Sequence, residues 1–372
     1  MPGLRILVLN HEFPPVGGGA SPVAFELCRE LVKMGHEVDV VTMRYKKLAR
    51  FEVKAGINIY RTWALRKSAD ICRTHELATY FPGAVFKTLS LAKQKKYDVI
   101  HCHFIVPGAP LAWLISKVRK IPFLITCHGT DVPGHNPERF KFVHKMIGPV
   151  WRKLASSTML VTPSGFLRRL VIENCPKANV KVIPNGINLG NFQPLPKTKS
   201  ILMCSRILGF KGFQYAIQAV KDIETDWQVN VIGEGPYLPE LKKLAEGSKV
   251  KINFWGWLDK SDERFYKLFN ESSIFVFPSE AENFPTVLLE AMAAGMAIIT
   301  SNAGGCPEVV GDAALFVPPQ DVETIKTHLI NLMHSEDILK RMQQKSLNQA
   351  KQFTWDNIAS QYLCCYKQLI NR

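Results

Sequence analysis

The chain has 372 residues, 47% hydrophobic and 21% charged, with a formal net charge of +15. That length is more than one ordinary core takes and predicts two domains of roughly 150–200 residues. No apolar run approaches the ~20 residues of a membrane span, no signal-peptide pattern opens the chain, and the nine cysteines are scattered without a CxxC pair. These features argue against a membrane-spanning protein, a disulfide scaffold and a cysteine-held metal, and favour reduced thiols in a cytoplasm.

The charge is unevenly placed. Residues 1–184 hold 28 Lys and Arg against 12 Asp and Glu, whereas residues 185–372 hold 19 against 20. A basic half points to nucleic acid, an anionic membrane surface or an acidic substrate, with a merely soluble basic face as the plain alternative. No nucleic-acid module is recognisable, so nucleic acid is not expected as a partner.

Leu4–Leu9 reads as a first strand, ending in a loop that contains Gly17-Gly18-Gly19 and leading to a helix over Ser21–Met34 closed by Gly35. Glycines between a strand and a helix let backbone N–H groups approach a phosphate, although a run needed only for the turn looks the same. The GxGxxG spacing of a dinucleotide fingerprint is absent. Glu37–Thr42 is a second strand, so the grammar is βαβ. A short basic loop, Arg44–Arg50, follows. Lys87, Lys93, Lys95 and Lys96 form a basic cluster before the strand Tyr97–His103. On that strand His101 and His103 share one face, which suits a metal pair or, with no third ligand near in sequence, a hydrogen-bonded role.

The next strand, starting at Pro122, ends in His128-Gly129-Thr130-Asp131, which places His128 at a strand's carboxyl end, the working edge of such sheets. Phe140, Val143, Ile147, Trp151 and Leu154 recur at helical spacing among Lys141, Lys145, Arg152 and Lys153. Such a basic amphipathic helix fits either a membrane surface or the domain's own core, and Pro149 allows two shorter helices. Strands are expected at Met159–Ser164 and Val180–Ile187. Pro184, Asn185, Gly186, Pro194 and Pro196 then mark a boundary. The expected organisation is residues 1–184 as a first domain, 185–198 as a linker, 199–354 as a second domain and 355–372 as a terminal helix.

The second half repeats the alternation, with strands at Ser200–Ser205, Trp227–Ile232, Lys251–Phe254, Ile274–Phe277, Ala297–Thr300 and Ala314–Val317, and helices beyond 321. After Ile274–Phe277 comes Pro278–Gly295, where Pro285 opens a helix and Gly295 stops it. Glu282 then lies in the loop at a strand's end and Glu290 on the helix, so two acids reach different parts of one ligand while the helix start faces its charged middle. Arg206 and Lys211, five apart around a glycine turn, are placed to offset a diphosphate.

With these residues the chain resembles the retaining GT-B glycosyltransferases of the family 4 type over nearly its full length. The most specific element is the ExxxxxxxE spacing from Glu282 to Glu290. Ser205-Arg206 with Lys211-Gly212, Ile183–Ile187, Gly304–Val310, Gly17–Ala20 and His128–Asp131 support it. The resemblance implies an α/β fold of two Rossmann-like parallel-sheet domains facing across a cleft, with the C-terminal helix crossing back to the N-terminal domain. It implies a nucleotide-diphosphate sugar as donor, UDP-sugar favoured, and a glycan or lipid-linked acceptor in cell-surface polysaccharide or glycolipid synthesis. Glu282, His128, Arg206 and Lys211 are the implied catalytic group. Gly18 and Gly19 would close over the diphosphate, Glu290 would hold the ribose, Trp257 and its neighbours would line the base pocket, and Gly233 is a further implied substrate-binding residue. Asn283, Phe284, Pro285 and Thr286 would grip the sugar through their backbone. No cofactor or metal is implied, and no DxD contradicts that. Asn283 and Pro285 stand where the family often has glycine, so the sugar is not specified. A sugar-nucleotide epimerase or a non-catalytic nucleotide-sugar-binding protein are the alternatives, and the basic half suggests peripheral contact with the inner face of a membrane.

Overall fold

A computed structural model describes residues 3–69, 72–135 and 137–371, without the side chains of residue 74 and residues 137–144. The chain divides into two compact units, one of residues 1–186 with 355–372 and one of residues 187–354.

The first unit runs β1 (Arg5–Leu9), α1 (Ala20–Lys33), β2 (Glu37–Met43), β3 (Phe51–Lys54), β4 (Ile57–Thr62), α2 (Thr74–Gln94), β5 (Val99–His103), α3 (Gly108–Arg119), β6 (Phe123–Thr126), α4 (Pro137–Ala155), β7 (Met159–Thr162), α5 (Gly165–Asn174) and β8 (Asn179–Val182). Its sheet order is β3-β4-β2-β1-β5-β6-β7-β8. Every pairing is parallel except β3 with β4. The strands are continuous apolar runs because helices cover both faces. The β3–β4 hairpin, which the basic loop 44–50 did not announce, turns at Ala55 and Gly56, both at positive φ. Buried Arg61 on β4 pairs with Glu52 of β3 at 2.7 Å and fastens it.

The second unit runs β9 (Thr198–Cys204), α6 (Phe213–Val220), β10 (Gln228–Ile232), α7 (Leu238–Leu244), β11 (Lys251–Phe254), α8 (Glu263–Glu271), β12 (Ser272–Phe277), α9 (Thr286–Ala293), β13 (Ala297–Ser301), α10 (Cys306–Val310), β14 (Ala314–Val317), α11 (Val322–His334) and α12 (Glu336–Ala350). Its sheet, β11-β10-β9-β12-β13-β14, is parallel throughout. Residues before β9 pack into this unit. Phe192 is buried, and Lys197 Nζ donates to the carbonyls of Asn270 and Ala294.

The last helix, α13 (Trp355–Ile370), belongs to the first unit. Ile358, Ala359, Tyr362, Cys365, Tyr366 and Leu369 form one apolar stripe and share a core with Ala24, Leu27, Cys28 and Leu31 of α1. Each large side chain so buried contributes about 1.5–3 kcal/mol. The helix α4 passes through Pro149 without a break. Trp151 and Leu154 are buried and Ile147 packs on the same core, which holds the helix across the missing N–H. Phe140, Lys141 and Val143, the start of the expected stripe, lie outside the described side chains. Among the described residues no helix is long and apolar enough to cross a membrane.

Candidate functional site

In a doubly wound sheet, chain order reverses between two neighbouring strands, and the loops after them diverge to leave a crevice. In the second unit the reversal falls between β9 and β12. The loop after β9 carries Arg206 and Lys211, and the loop after β12 carries Glu282. Lys211 Nζ forms an ion pair with Glu282 Oε1, and each side chain is 12% exposed. One contact therefore bridges the switch point. Lys211 Nζ also lies 5.3 Å from the ring of Phe210 and 5.5 Å from that of Phe277, so the ammonium faces two aromatic rings. Arg206 is exposed.

Backbone bonds hold the two loops in register. The N–H of Glu280 donates to Phe210 O at 2.8 Å, and that of Gly305 to Glu282 O at 2.9 Å. At Gly305 a Cβ would lie 1.6 Å from Asn283 O, so only glycine lets the loop after β13 back onto the Glu282 loop. Gly233, at φ 141°, backs onto Ser205 in the same way, with a Cβ position 1.8 Å from its carbonyl oxygen.

Pro285 caps α9 in an extended conformation, and the helix begins at Thr286 with no side-chain cap, directly after the loop that carries Glu282. Phe284 is buried and its ring packs edge-on against Phe353 at 5.8 Å. Glu290, one turn further in, is buried and ion-paired with Lys260. Burial pulls the Lys260 ammonium down, but the Glu290 carboxylate more than offsets this and holds it above the ordinary lysine range. Trp257 is 59% exposed beyond β11, beside Gly256, whose carbonyl accepts the N–H of Gly233.

In the first unit the reversal falls between β1 and β5. Gly18 and Gly19 are exposed in the loop after β1. A Cβ at either would meet nothing within 4 Å, and Gly19 has φ −59°, ψ −26°, so neither packing nor backbone conformation demands glycine there. The Glu12 carboxylate accepts the Gly18 N–H at 3.1 Å and pairs with buried Arg66 at 3.2 Å. His128 follows β6. Its backbone N–H and that of Gly129 donate to Asp131 Oδ1 at 2.9 and 3.0 Å, while Asp131 Oδ2 accepts from Ile105 N at 2.8 Å. Burial raises the Asp131 carboxyl despite these bonds. Burial also lowers the His128 imidazole well below the usual histidine range, so the ring is neutral near pH 7, with part of its surface still exposed.

The metal alternative for His101 and His103 gives way to the hydrogen-bonded one. His101 Nε2 meets Thr126 Oγ1 and its Nδ1 meets Tyr366 Oη, both at 2.8 Å. Among the described residues no group of three or more His, Cys, Asp or Glu could hold a metal ion. Sequence reasoning named Glu282, Glu290, Lys211, Arg206 and His128 but assigned no role to Lys260, Asp131, Glu12 and Arg66. The Asp131 contact is a local one, its carboxylate accepting from backbone N–H groups two and three residues before it.

Known proteins resemble the chain along most of its length. The model for glycosyl transferases group 1 matches residues 191–349, and that for Glycosyltransferase Family 4 matches residues 17–191. The chain is 30% identical to the MMP alpha-(1->4)-mannosyltransferase of Mycolicibacterium hassiacum, with 99% of each chain covered. It is 25% identical to the N-acetyl-alpha-D-glucosaminyl L-malate synthase of Bacillus anthracis over 96% of this chain and 95% of that protein. The solved sucrose-phosphate synthase of Thermosynechococcus elongatus shares its fold with a TM-score of 0.82 at 20% identity, covering 99% of both chains. The chain belongs to the group 1, family 4 type glycosyltransferases of GT-B fold.

Proposed function

We propose that the protein transfers a sugar from a UDP-sugar to a hydroxyl of a glycan or lipid-linked acceptor, with retention of anomeric configuration and without a metal, in cell-surface polysaccharide or glycolipid synthesis. The observation that carries the reading is the Lys211–Glu282 pair across the β9/β12 switch point, with Arg206 in the same loop as Lys211 and α9 starting just after the Glu282 loop.

Glycosyl transfer develops positive charge at the anomeric carbon and negative charge on the departing diphosphate. On this reading Arg206, Lys211 and the α9 N–H groups take the diphosphate charge, the work a divalent ion would otherwise do. Glu290 binds the ribose hydroxyls, oriented by Lys260, and Trp257 with Gly233 borders the base. Glu282 and the backbone of Asn283–Thr286 grip the sugar, and Gly18, Gly19 and His128 contact the diphosphate and sugar. A Glu282 that holds hydroxyls is not a covalent nucleophile. Retention then follows from attack on the face the diphosphate leaves, with a donor phosphate oxygen taking the acceptor's proton.

The test is a thermal-shift screen over UDP-, GDP- and ADP-sugars, because a ligand at 100 times its Kd stabilises by about 2.7 kcal/mol. Turnover of the selected donor follows in the presence of EDTA, with the product anomer read by NMR. Lys211→Met should lose donor binding and turnover together. A product of inverted configuration, loss of turnover in EDTA, or unchanged kinetics in Lys211→Met each sinks the part it addresses.

The acceptor side reads as peripheral to a membrane. On α4 Met146 and Val150 are 68% and 57% exposed beside exposed Lys145, Arg152 and Lys153. Such a surface fits an anionic bilayer and a cytoplasmic protein at its inner face. Co-sedimentation with anionic vesicles should be lost at high salt. Sedimentation that salt leaves unchanged counts against it.

A further inference from the structure

The β5 strand ends in His101-Cys102-His103, and both imidazoles are buried on one face of it. The rings of His101, His103 and His128 form a ladder. The first pair has centroids 4.3 Å apart at 28° and the second 5.2 Å apart at 17°. Phe104 packs on His128 at 4.7 Å with its backbone at φ 67°, a region an aromatic residue occupies only when its surroundings hold it there.

His101 has both nitrogens engaged, as described above. His103 does not. Its Nδ1 lies 2.9 Å from His128 Nε2, while its Nε2 is buried without a hydrogen-bond partner. The rings of His103 and His128 are neutral, because burial penalises their charge. Each therefore has one N–H and one lone pair. If the His103 proton sat on Nε2, a buried N–H would be left unpaired. With the proton on Nδ1, only a lone pair is unpaired, the less costly arrangement.

We propose that His103 is a positioning residue for His128: its Nδ1–H donates to His128 Nε2 and so fixes both the ring orientation and the Nδ1-protonated tautomer of His128. Tyr366 of α13, through His101, anchors the far end of the ladder. A ring fixed in this tautomer carries its donor at Nδ1, the polarity that a sugar hydroxyl or phosphate oxygen accepts. The functional weight of this assignment rests on the reading that His128 contacts the donor.

The full chain labelled with 15N-histidine tests it directly, since two-bond 1H–15N spectra distinguish the tautomers of neutral imidazoles. The His128 signals are assigned by their loss in His128→Gln. In the resting protein Nε2 of His128 should be unprotonated and Nδ1 protonated. His103→Leu should release this bias and lower kcat about tenfold, with the Kd for UDP within twofold of the parent value. His103→Asn, whose amide sits at the δ position, should restore the tautomer and most of the rate. A His128 proton on Nε2 in the parent protein overturns the proposal, as does an unchanged spectrum or unchanged kcat in His103→Leu. The spectrum does not depend on transfer activity. Should the tautomer be found and no sugar nucleotide turn over, the functional reading fails and the hydrogen-bond assignment stands.

Discussion

Replacing Gly19 by alanine separates stability from function. Gly19 sits at φ −59°, ψ −26° at the start of α1, and an added Cβ meets nothing of the chain within 4 Å. Alanine fits that conformation and restricts the unfolded chain, so the substitution should stabilise by about 0.4–1 kcal/mol. For a unit of this size that raises Tm by about 1–4 °C. If the exposed loop closes on the donor diphosphate, the new methyl group holds that diphosphate away from the backbone N–H groups. Losing one hydrogen bond to a charged group costs about 1.5–3 kcal/mol, which is roughly a ten- to 150-fold loss in kcat/KM. The assay pairs scanning fluorimetry with initial rates at limiting donor. Opposite signs, a higher Tm and a lower rate, are the expected result. A Gly19→Ala enzyme with kcat/KM within twofold of the parent would refute the reasoning, because nothing inside the chain asks for glycine there.

Gly305→Ala should behave in the contrary way, losing stability by about 3 kcal/mol or more together with activity, since its Cβ would lie 1.6 Å from Asn283 O; a parent-like Tm would show that the Glu282 loop can shift freely. Lys260→Met leaves the buried Glu290 carboxylate without its cation. Lys260 is 57% exposed and water can take its place, so the stability cost should be near 1 kcal/mol. Nucleotide affinity should fall by about tenfold in calorimetry, and an unchanged Kd would remove Lys260 from the site. Acid should weaken the first unit. Burial holds His11 and His101 at about 3 in the folded state. The unfolded chain therefore binds more protons below 6.5, so stability is full above that pH and falls as pH drops toward 3. At about 1.4 kcal/mol per pH unit per group, the two histidines together cost about 4 kcal/mol at pH 5. A Tm for the first unit equal at pH 7.5 and pH 5 would contradict this.

The sequence makes visible what depends on neighbours in the chain. Apolar runs followed by glycine-containing loops and amphipathic stretches locate most strands and helices, and eight-residue spacing places Glu282 and Glu290 on a loop and the helix after it. What it conceals depends on pairings between distant residues. Glu12 meets Arg66 from 54 residues away, and Tyr366 meets His101 across 265. Neither partner has a local pattern to betray it. The β3–β4 hairpin hides because short edge strands with exposed residues such as Phe51 and Val53 lack a clean alternation. Pro149 misleads in the other direction, since the packing of Trp151 and Leu154 outweighs a local helix breaker. His103 shows the same limit, for the strand pattern gives its face but not the ring it meets.

The first unit is assembled from two pieces of chain with the entire second unit between them in sequence. During synthesis, residues 187–354 can emerge and fold while the core formed by α1 and the central strands still lacks Ile358, Tyr362 and Tyr366. Closing that core joins residues far apart in sequence, a slow kind of contact to form. A nascent chain halted before α13 would carry a finished second sheet and an apolar, open first one. Order of translation thus leaves the core under α13 as the last to be completed.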